Sequence, residues 1–168
     1  MLYVAFLRGI NLGSRRSVAM ADLRAFAEAL AFTRVSTLLN SGNLVFETTG
    51  KSGAQLERLL EAECEKYLGL RTEFYVRNAT ELSTLIKENP FPVEAKKDPS
   101  RLVVIFLKQT LAATSVVIPG RERVRVTGRH AFVYYPDGQG RSKLKLPGDG
   151  TARNWNTVTK LAMLTASA

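Results

Sequence analysis

The sequence has very little of the chemistry that most enzymes use. Its 168 residues include one cysteine, Cys64, and one histidine, His130. A lone cysteine excludes an intrachain disulfide and suits a reducing compartment. A lone histidine excludes a cluster of histidine metal ligands, and no Cys/His spacing is typical of a zinc site. The sequence therefore predicts neither a metal centre nor a cofactor.

Long apolar runs are also missing. The run Leu102–Leu107 has the length of a strand, and no apolar run approaches the ~18 residues of a membrane-spanning helix. The N-terminus has no basic segment ahead of an apolar core and no cleavage signature, which predicts that there is no signal peptide. With 45% hydrophobic and 23% charged residues, the composition is typical of a packed globule. We expect a cytoplasmic protein without a membrane partner.

The motifs of common catalytic sites are absent as well. The chain has no Walker loop, no G-x-S-x-G elbow and no G-x-G-x-x-G fingerprint. His130 stands beside a predicted hairpin turn, where an exposed strand residue is a better interpretation than a general base. Cys64 lies on the apolar stripe of a predicted helix, which favours a buried and inert thiol. The residue types thus name no catalytic group, and whether the protein is an enzyme stays open.

The charge of the chain is positive and uneven. Its 24 Lys and Arg residues exceed its 15 Asp and Glu residues, for a net charge of +9. Residues 1–79 contain 10 basic and 8 acidic residues, whereas residues 80–168 contain 14 and 7. A basic half favours polyanions, phosphorylated ligands or acidic partners, although a solvated basic surface explains it equally well.

Residues 1–79 predict an α+β subdomain. The periodicity of apolar residues indicates the order strand, helix, strand, strand, helix, strand. These elements are predicted at residues 2–7, 21–31, 35–39, 44–48, 56–68 and 72–77. The order βαββαβ is that of a ferredoxin-like sandwich, in which two helices cover one face of a sheet.

Residues 80–168 predict a second, smaller α+β subdomain packed with the first. A short helix capped by Thr80 comes first, and a buried strand, another short helix at 110–117 and a hairpin turning at Gly128 follow. A basic, glycine-rich loop then leads to a final helix that begins at about Thr151. The order αβαββα resembles a partial second copy of the first subdomain, although no self-similarity of the sequence establishes a duplication.

Two loops are predicted to bind an anionic ligand. The first, residues 8–16, joins a strand to a helix, and its glycines and arginines suit the close approach of phosphate or carboxylate oxygens. The second leads into the final helix, where unpaired N–H groups and the positive end of the helix favour anions. For both loops the alternative is a solvated connection. The candidate ligand-binding residues are Arg8, Gly9, Asn11, Gly13, Arg15, Lys143, Arg153, Asn154 and Asn156.

A third basic feature is a row of arginines at positions 121, 123 and 125. Alternation along a strand places their side chains on one face. Such a row could track phosphates, but an edge strand that charge protects against aggregation is the preferred interpretation.

Four sequence blocks resemble a known family. They are Arg-Gly-Ile-Asn-Leu-Gly at 8–13, Met-Ala-x-Leu-Arg at 20–24, Ser-Gly-Asn-Leu-Val-Phe at 41–46 and the block at 151–161 that contains Arg-Asn-Trp-Asn-Thr-Val. In this order, over nearly the whole chain, they resemble the bacterial family called domain of unknown function 1697. The resemblance implies a small cytoplasmic α+β protein of bacterial type and supplies no activity, substrate or cofactor. Its first and last blocks fall on the two candidate loops, so we expect those loops to line one cleft.

Three functions are compatible with these patterns. The first is the binding of an anionic ligand, a nucleotide or a nucleic acid, through the basic loops. The second is an enzyme that acts on a phosphorylated or anionic small molecule, and the third is a scaffold or regulatory interaction protein. A ferredoxin-like unit is also the scaffold of the RNA-recognition motif, but Phe46 is the only aromatic residue in the second signature position. Binding to nucleic acid would therefore be mainly electrostatic.

Overall fold

A computed structural model of the chain describes residues 1–9 and 17–166. Across these residues it has eight strands, in two four-stranded antiparallel sheets, and five α-helices. The prediction of an α+β protein is confirmed. Two compact units are present, Met1–Ser83 together with the end of the last helix from Leu161, and Thr84–Lys160. None of the helices described is both long and apolar enough to cross a membrane.

The first sheet has four strands in the order β2-β3-β1-β4. The strands are β1, Leu2–Leu7, β2, Thr33–Leu38, β3, Asn43–Glu47, and β4, Phe74–Asn78. Every neighbouring pair is antiparallel, and Val4 at the centre faces Val45 on β3 and Arg77 on β4. All six residues of β1 are buried, as the apolar run on both of its faces predicts.

Two helices connect the strands of the first sheet. They are α1, Met20–Ala29, between β1 and β2, and α2, Gly53–Leu68, between β3 and β4. Ser52 and Gln55 form a reciprocal capping box at the start of α2, and Gly69 ends it with a φ of 65°. The buried side chains of both helices join those of the sheet in one core cluster, which includes Leu7, Leu23, Phe26, Phe46, Leu56, Leu60 and Phe74. All six elements predicted for residues 1–79 are therefore present.

Two short helices follow β4. The first is α3, Ala79–Lys87, and the second is α4, Pro92–Lys97. The prediction that Thr80 caps α3 is wrong, because Asn78 Oδ1 accepts from the Glu81 N–H at 2.8 Å while Glu81 Oε1 accepts from the Asn78 N–H at 3.0 Å. The helix α4 was not predicted, although proline is well suited to a first helical turn, where its missing N–H costs nothing.

The second sheet has the strand order β6-β7-β5-β8. The strands are β5, Leu102–Leu107, β6, Arg123–Thr127, β7, His130–Tyr134, and β8, Gly150–Asn154. Again every neighbouring pair is antiparallel, and Val104 at the centre faces Phe132 on β7 and Arg153 on β8. The predicted strand at residues 102–107 and the predicted hairpin are confirmed, with Gly128 at a positive φ of 58° in the turn.

The start of the final helix differs from the prediction. Residues 150–154 pair with β5 as strand β8, and the last helix, α5, is Trp155–Ala166. Thr151 and Arg153 are buried while Ala152 and Asn154 are less so, an alternation that belongs to a strand. Pairing with a central strand satisfies the backbone groups that an isolated helical turn would leave free. Arg153 therefore does not lie in the first turn of the helix.

The connections within the second sheet contain no α-helix among the residues described. The connection from β5 to β6 holds one 3-10 turn, Ala113–Ser115, and the connection from β7 to β8 holds another, Gln139–Arg141. The helix predicted at 110–117 is reduced to that single turn. The second connection is the basic, glycine-rich loop of the sequence.

Candidate functional site

A cleft of about 320 Å³ lies in the second unit, between the two connections that lack helices. Residues 119–122 of the first connection form one part of its lining, and residues 135–138 and 141–143 of the second form the other. We call it the basic cleft, because Arg121, Arg141 and Lys143 line it.

A carboxylate joins the two sides of the basic cleft. Glu122 Oε2 accepts from the Gly120 N–H at 2.9 Å, and Glu122 Oε1 accepts from the Ser142 hydroxyl at 2.7 Å. Ser142 Oγ in turn accepts from the Leu144 N–H at 3.0 Å. The hydrogen bond from Ser142 is the main reason why the pKa of Glu122 is lowered. Glu122 thus stays ionised and holds the basic loop against the start of β6.

A second carboxylate in the basic cleft is held by arginines. The Arg121 guanidinium donates to both oxygens of Asp137, with Nε 3.1 Å from Oδ2. This hydrogen bonding is the main reason why the pKa of Asp137 is lowered, and the positive charges of Arg121, Arg101 and Arg141 lower it further. Three guanidinium groups therefore act on one carboxylate, and the surplus of charge around Asp137 is positive.

The other two cations of the basic cleft, Arg141 and Lys143, are not paired with a carboxylate in the way that Arg121 is. The side chains of Arg141 and Lys143 are exposed and, within residues 1–9 and 17–166, neither forms an ion pair or a hydrogen bond with an acidic residue. Lys143 is one of the residues predicted from the sequence. Arg141 was not among them, although it stands two positions earlier in the same basic loop, and Arg121 was assigned only to the edge strand.

Two of the other three predicted residues of the second unit, Arg153 and Asn154, form hydrogen bonds within the fold. Arg153 is buried in β8, where its Nη1 donates to Thr151 Oγ1 at 2.7 Å and to the carbonyl oxygen of Ala152 at 2.9 Å. Burial lowers the pKa of Arg153 to about 10. Asn154 Oδ1 accepts from the Thr157 N–H at 3.0 Å and so caps α5. Asn156 is exposed in the first turn of α5. Ligand binding by these three residues stays a prediction.

The first predicted loop contributes less positive charge than its sequence suggests. Arg8 Nη1 lies 2.6 Å from Glu73 Oε1, and Gly9 follows with a φ of 61°. Both residues line a separate cleft of about 740 Å³ in the first unit, whose ionised side chains are three arginines and three glutamates. Asn11, Gly13 and Arg15 lie outside the residues that the structure describes.

Of the three arginines predicted to form a row on one strand, Arg123 and Arg125 lie on β6, whereas Arg121 precedes it. The strand β6 lies at one end of its sheet, so the predicted edge position is confirmed, and protection against aggregation by charge stays a prediction. Arg123 lies 3.4 Å from a Glu94 oxygen and packs over the Phe91 ring, 4.9 Å from its centroid. Two of the three arginines therefore already have acidic partners, because Arg121 binds Asp137.

The aromatic residues of the first sheet, the lone thiol and the lone imidazole are buried or half-buried. Tyr3 and Phe46 are buried, with their ring centroids 5.7 Å apart, so neither can stack on a base. Cys64 is buried as predicted, and desolvation raises the pKa of its thiol to about 11. His130 lies on a strand as predicted, at the start of β7, but it is half-buried rather than exposed, and its ring packs edge-on against Phe132 at 5.3 Å.

Comparisons with known proteins give relatives without assigned activities. Residues 1–132 match the model of the family described as Protein of unknown function (DUF1697), whereas the block at 151–161 lies beyond the match. The fold is similar to that of the conserved bacterial protein SP0830 from Streptococcus pneumoniae, with a TM-score of 0.77 and 25% identity over 98% of both chains. A comparison with curated proteins found no match.

Proposed function

Because the chain belongs to the DUF1697 family, whose description assigns no activity, we propose a function from its own geometry: it binds a phosphate-bearing anion, a nucleotide or a nucleic acid, in the basic cleft. One observation carries the proposal. Arg141 and Lys143 line a concave site and, among the residues described, form no ion pair or hydrogen bond with an acidic residue. Two exposed cations at one cleft, of which Arg141 acts on Asp137 only through its charge, favour a ligand of opposite charge.

The two side chains suit phosphate in complementary ways. A guanidinium offers planar, paired N–H donors that match two phosphate oxygens, and an ammonium acts as a compact point charge. The excess of basic residues in 80–168, 14 against 7 acidic ones, raises the local concentration of anions before they bind. The proposal therefore depends on the second unit alone.

Contributions from the first loop stay a separate prediction. Arg8 already binds Glu73, and most of the loop lies outside the described residues. The expectation that residues 8–16 and 143–153 line one cleft is therefore not needed for the proposal. Removing the charge of Arg8 tests it independently.

Binding is better supported than acid–base catalysis. A general acid or base works best with a pKa near the operating pH. Hydrogen bonds from Ser142 and Arg121 lower the pKa of Glu122 and Asp137 respectively, and burial raises the pKa of Tyr135 to about 12. These three groups line the cleft and are poorly matched to proton transfer near pH 7. The enzyme and the scaffold remain alternatives that no described contact favours.

We also propose that the first unit is a ferredoxin-like sandwich in a cytoplasmic protein. The order βαββαβ, the strand order β2-β3-β1-β4 and the single core shared by α1, α2 and the sheet support this assignment. The burial of Tyr3 and Phe46 argues against base stacking on that sheet, so any nucleic acid would be bound through its phosphates.

The double variant R141Q/K143Q tests the proposed function. Its binding of ATP and of a 12-nucleotide single-stranded RNA is compared with wild type by titration calorimetry at two salt concentrations. Loss of two charge-assisted hydrogen bonds should weaken the affinity by about tenfold or more. The control K96Q/K97Q removes the same charge from two exposed lysines of α4 that do not line the cleft, and should bind like wild type.

Two results would contradict the proposal. One is unchanged affinity in R141Q/K143Q with an unchanged melting temperature, and the other is an equal loss in both double variants. A thermal-shift measurement gives the first screen, because a ligand at one hundred times its dissociation constant stabilises by about 2.7 kcal/mol. RNA binding should fall steeply as salt rises, whereas ATP binding should fall less.

A further inference from the structure

The basic cleft contains two carboxylates beside its three cations. Asp137 and Glu122 line the same site as Arg121, Arg141 and Lys143. Both carboxylates are ionised at neutral pH, since hydrogen bonds from Arg121 and Ser142 stabilise their charged forms. Three cations against two carboxylates leave the cleft only a small excess of positive charge. Such a mixture suits a ligand that is anionic at one end better than a polyanion.

The carboxylates retain the capacity to accept further hydrogen bonds. An ionised carboxylate has about four acceptor sites. Asp137 uses two of them for Arg121, and Glu122 uses three, for the Gly120 N–H, the Ser142 hydroxyl and its own backbone N–H. The side chain of Asp137 is 55% exposed, so its remaining lone pairs can be reached from the cleft. Hydroxyl groups are neutral donors that such carboxylate oxygens can accept from.

The size of the cleft limits the ligand further. Its volume of about 320 Å³ is close to the lower end of the ~300–1,000 Å³ that is usual for small-molecule pockets. Pro119 and Pro136 provide apolar wall beside the polar groups, and exposed Val117 and Ile118 directly precede Pro119 in the chain. These dimensions suit one small molecule better than a polymer segment.

We propose that the basic cleft is specific for a small phosphate monoester that carries several hydroxyl groups. The phosphate binds Arg141 and Lys143, and the hydroxyls donate to Asp137 and Glu122. Sugar phosphates and nucleoside monophosphates share this chemistry, and the latter would add a base against the apolar wall. The inference rests on the proposed function and deepens it, because it selects the phosphorylated small molecule over nucleic acid.

The experiment compares affinities for ribose 5-phosphate, adenosine monophosphate, inorganic phosphate and the 12-nucleotide RNA by titration calorimetry. Wild type should bind ribose 5-phosphate about tenfold more tightly than inorganic phosphate, the effect of one or two hydrogen bonds to a charged acceptor. In the variant D137N the ratio of the two affinities, for ribose 5-phosphate and for inorganic phosphate, should fall close to one. The variant should bind inorganic phosphate at least as well as wild type, because Arg121 is released from Asp137. The variant E122Q serves as a second, independent test of the ratio.

The outcomes separate the inference from the proposed function. Equal affinity of wild type for ribose 5-phosphate and inorganic phosphate, or an unchanged ratio in both D137N and E122Q, overturns the inference and leaves phosphate binding in place. Binding of RNA without binding of either monoester also overturns it. Failure of every phosphate probe to bind removes both proposals. Tighter binding of adenosine monophosphate than of ribose 5-phosphate supports the inference and identifies a nucleotide as the source of the monoester.

Discussion

The two sheets of this protein share a plan and differ in what joins their strands. The strand order is β2-β3-β1-β4 in the first sheet and β6-β7-β5-β8 in the second, so β1 to β4 correspond in position to β5 to β8. All neighbouring strands in both sheets are antiparallel. The central residues Val4 and Val104 both face an arginine on the last strand, Arg77 and Arg153. The second half therefore repeats the backbone pattern of the first.

The repeat extends to side chains at the end of the last strand. Arg77 and Arg153 are both buried, and each donates from Nη1 to the carbonyl oxygen of the preceding residue at 2.9 Å. Asn78 and Asn154 follow them, and each caps the next helix by accepting from the N–H three residues later. An Arg-Asn pair thus ends both sheets and starts both helices.

The difference between the halves lies in the connections. In the first sheet α1 and α2 fill the two connections and cover one face of the sheet. In the second sheet the corresponding connections have only 3-10 turns, and both line the basic cleft. The first sheet therefore has helices in the two connections where the second sheet has loops, and the candidate site lies between those loops.

The largest expected effect tests whether the two buried arginines are equivalent. Arg77 Nη1 lies 3.7 Å from Glu57 Oε2, and both side chains are almost fully buried. Removing one partner of such a pair leaves a buried charge, so R77M should lower the free energy of unfolding by about 3–5 kcal/mol. Desolvation lowers the pKa of Arg153, so its charge is disfavoured in the fold, and R153M should destabilise the protein by less than R77M does. Urea unfolding of both variants measures the difference, and equal losses would contradict it.

A smaller effect distinguishes the helical cover from the loop cover. Leu56 of α2 is fully buried in the core of the first sheet, whereas Leu144 of the basic loop is partly buried against Val103, Val133 and Tyr135. The matched substitutions L56A and L144A should cost about 3 kcal/mol and about 1 kcal/mol of unfolding free energy, because the cost grows with the apolar surface that each leucine buries. Chemical denaturation of both variants checks this order. A loss of stability in L144A as large as in L56A would show that the loop packs as tightly as a helix.

The smallest effect concerns the repeated caps. Loss of an Asn cap typically costs about 1 kcal/mol, so N78A and N154A should destabilise by similar amounts. Thermal unfolding of the two variants measures this. N154A should also bind phosphate ligands like wild type if capping is its role. A loss of affinity without a loss of stability would instead support its predicted place in the ligand site.

Much of the fold could be predicted because it follows from local periodicity. The strands Leu2–Leu7 and Leu102–Leu107 have the predicted bounds, since a short run of apolar residues suits a strand buried on both faces. Gly69 ends α2 as predicted, because a left-handed cap needs no Cβ. Residues 150–154 could not be assigned locally, since they form a strand only by pairing with β5. Strand pairing depends on residues far away in the chain.

The site was predicted in part. The basic loop and Lys143 were recognised by composition, which needs no knowledge of contacts. The neutralisation of Arg8 by Glu73 could not be recognised, because 65 residues separate them in the sequence. Neither could the role of Arg121, which stands in a row of similar arginines and reaches the cleft only through the fold.

The sequence by itself determined the fold class, the family, the buried thiol and the surplus of positive charge in the second half, because each depends on composition or on neighbours a few positions apart. Only the tertiary structure decided which of those charges are already paired, where the two helix-free connections meet, and that the two sheets share one strand order. Ion pairs, clefts and strand registers join segments distant in the chain, and a linear pattern carries no record of the distances between them.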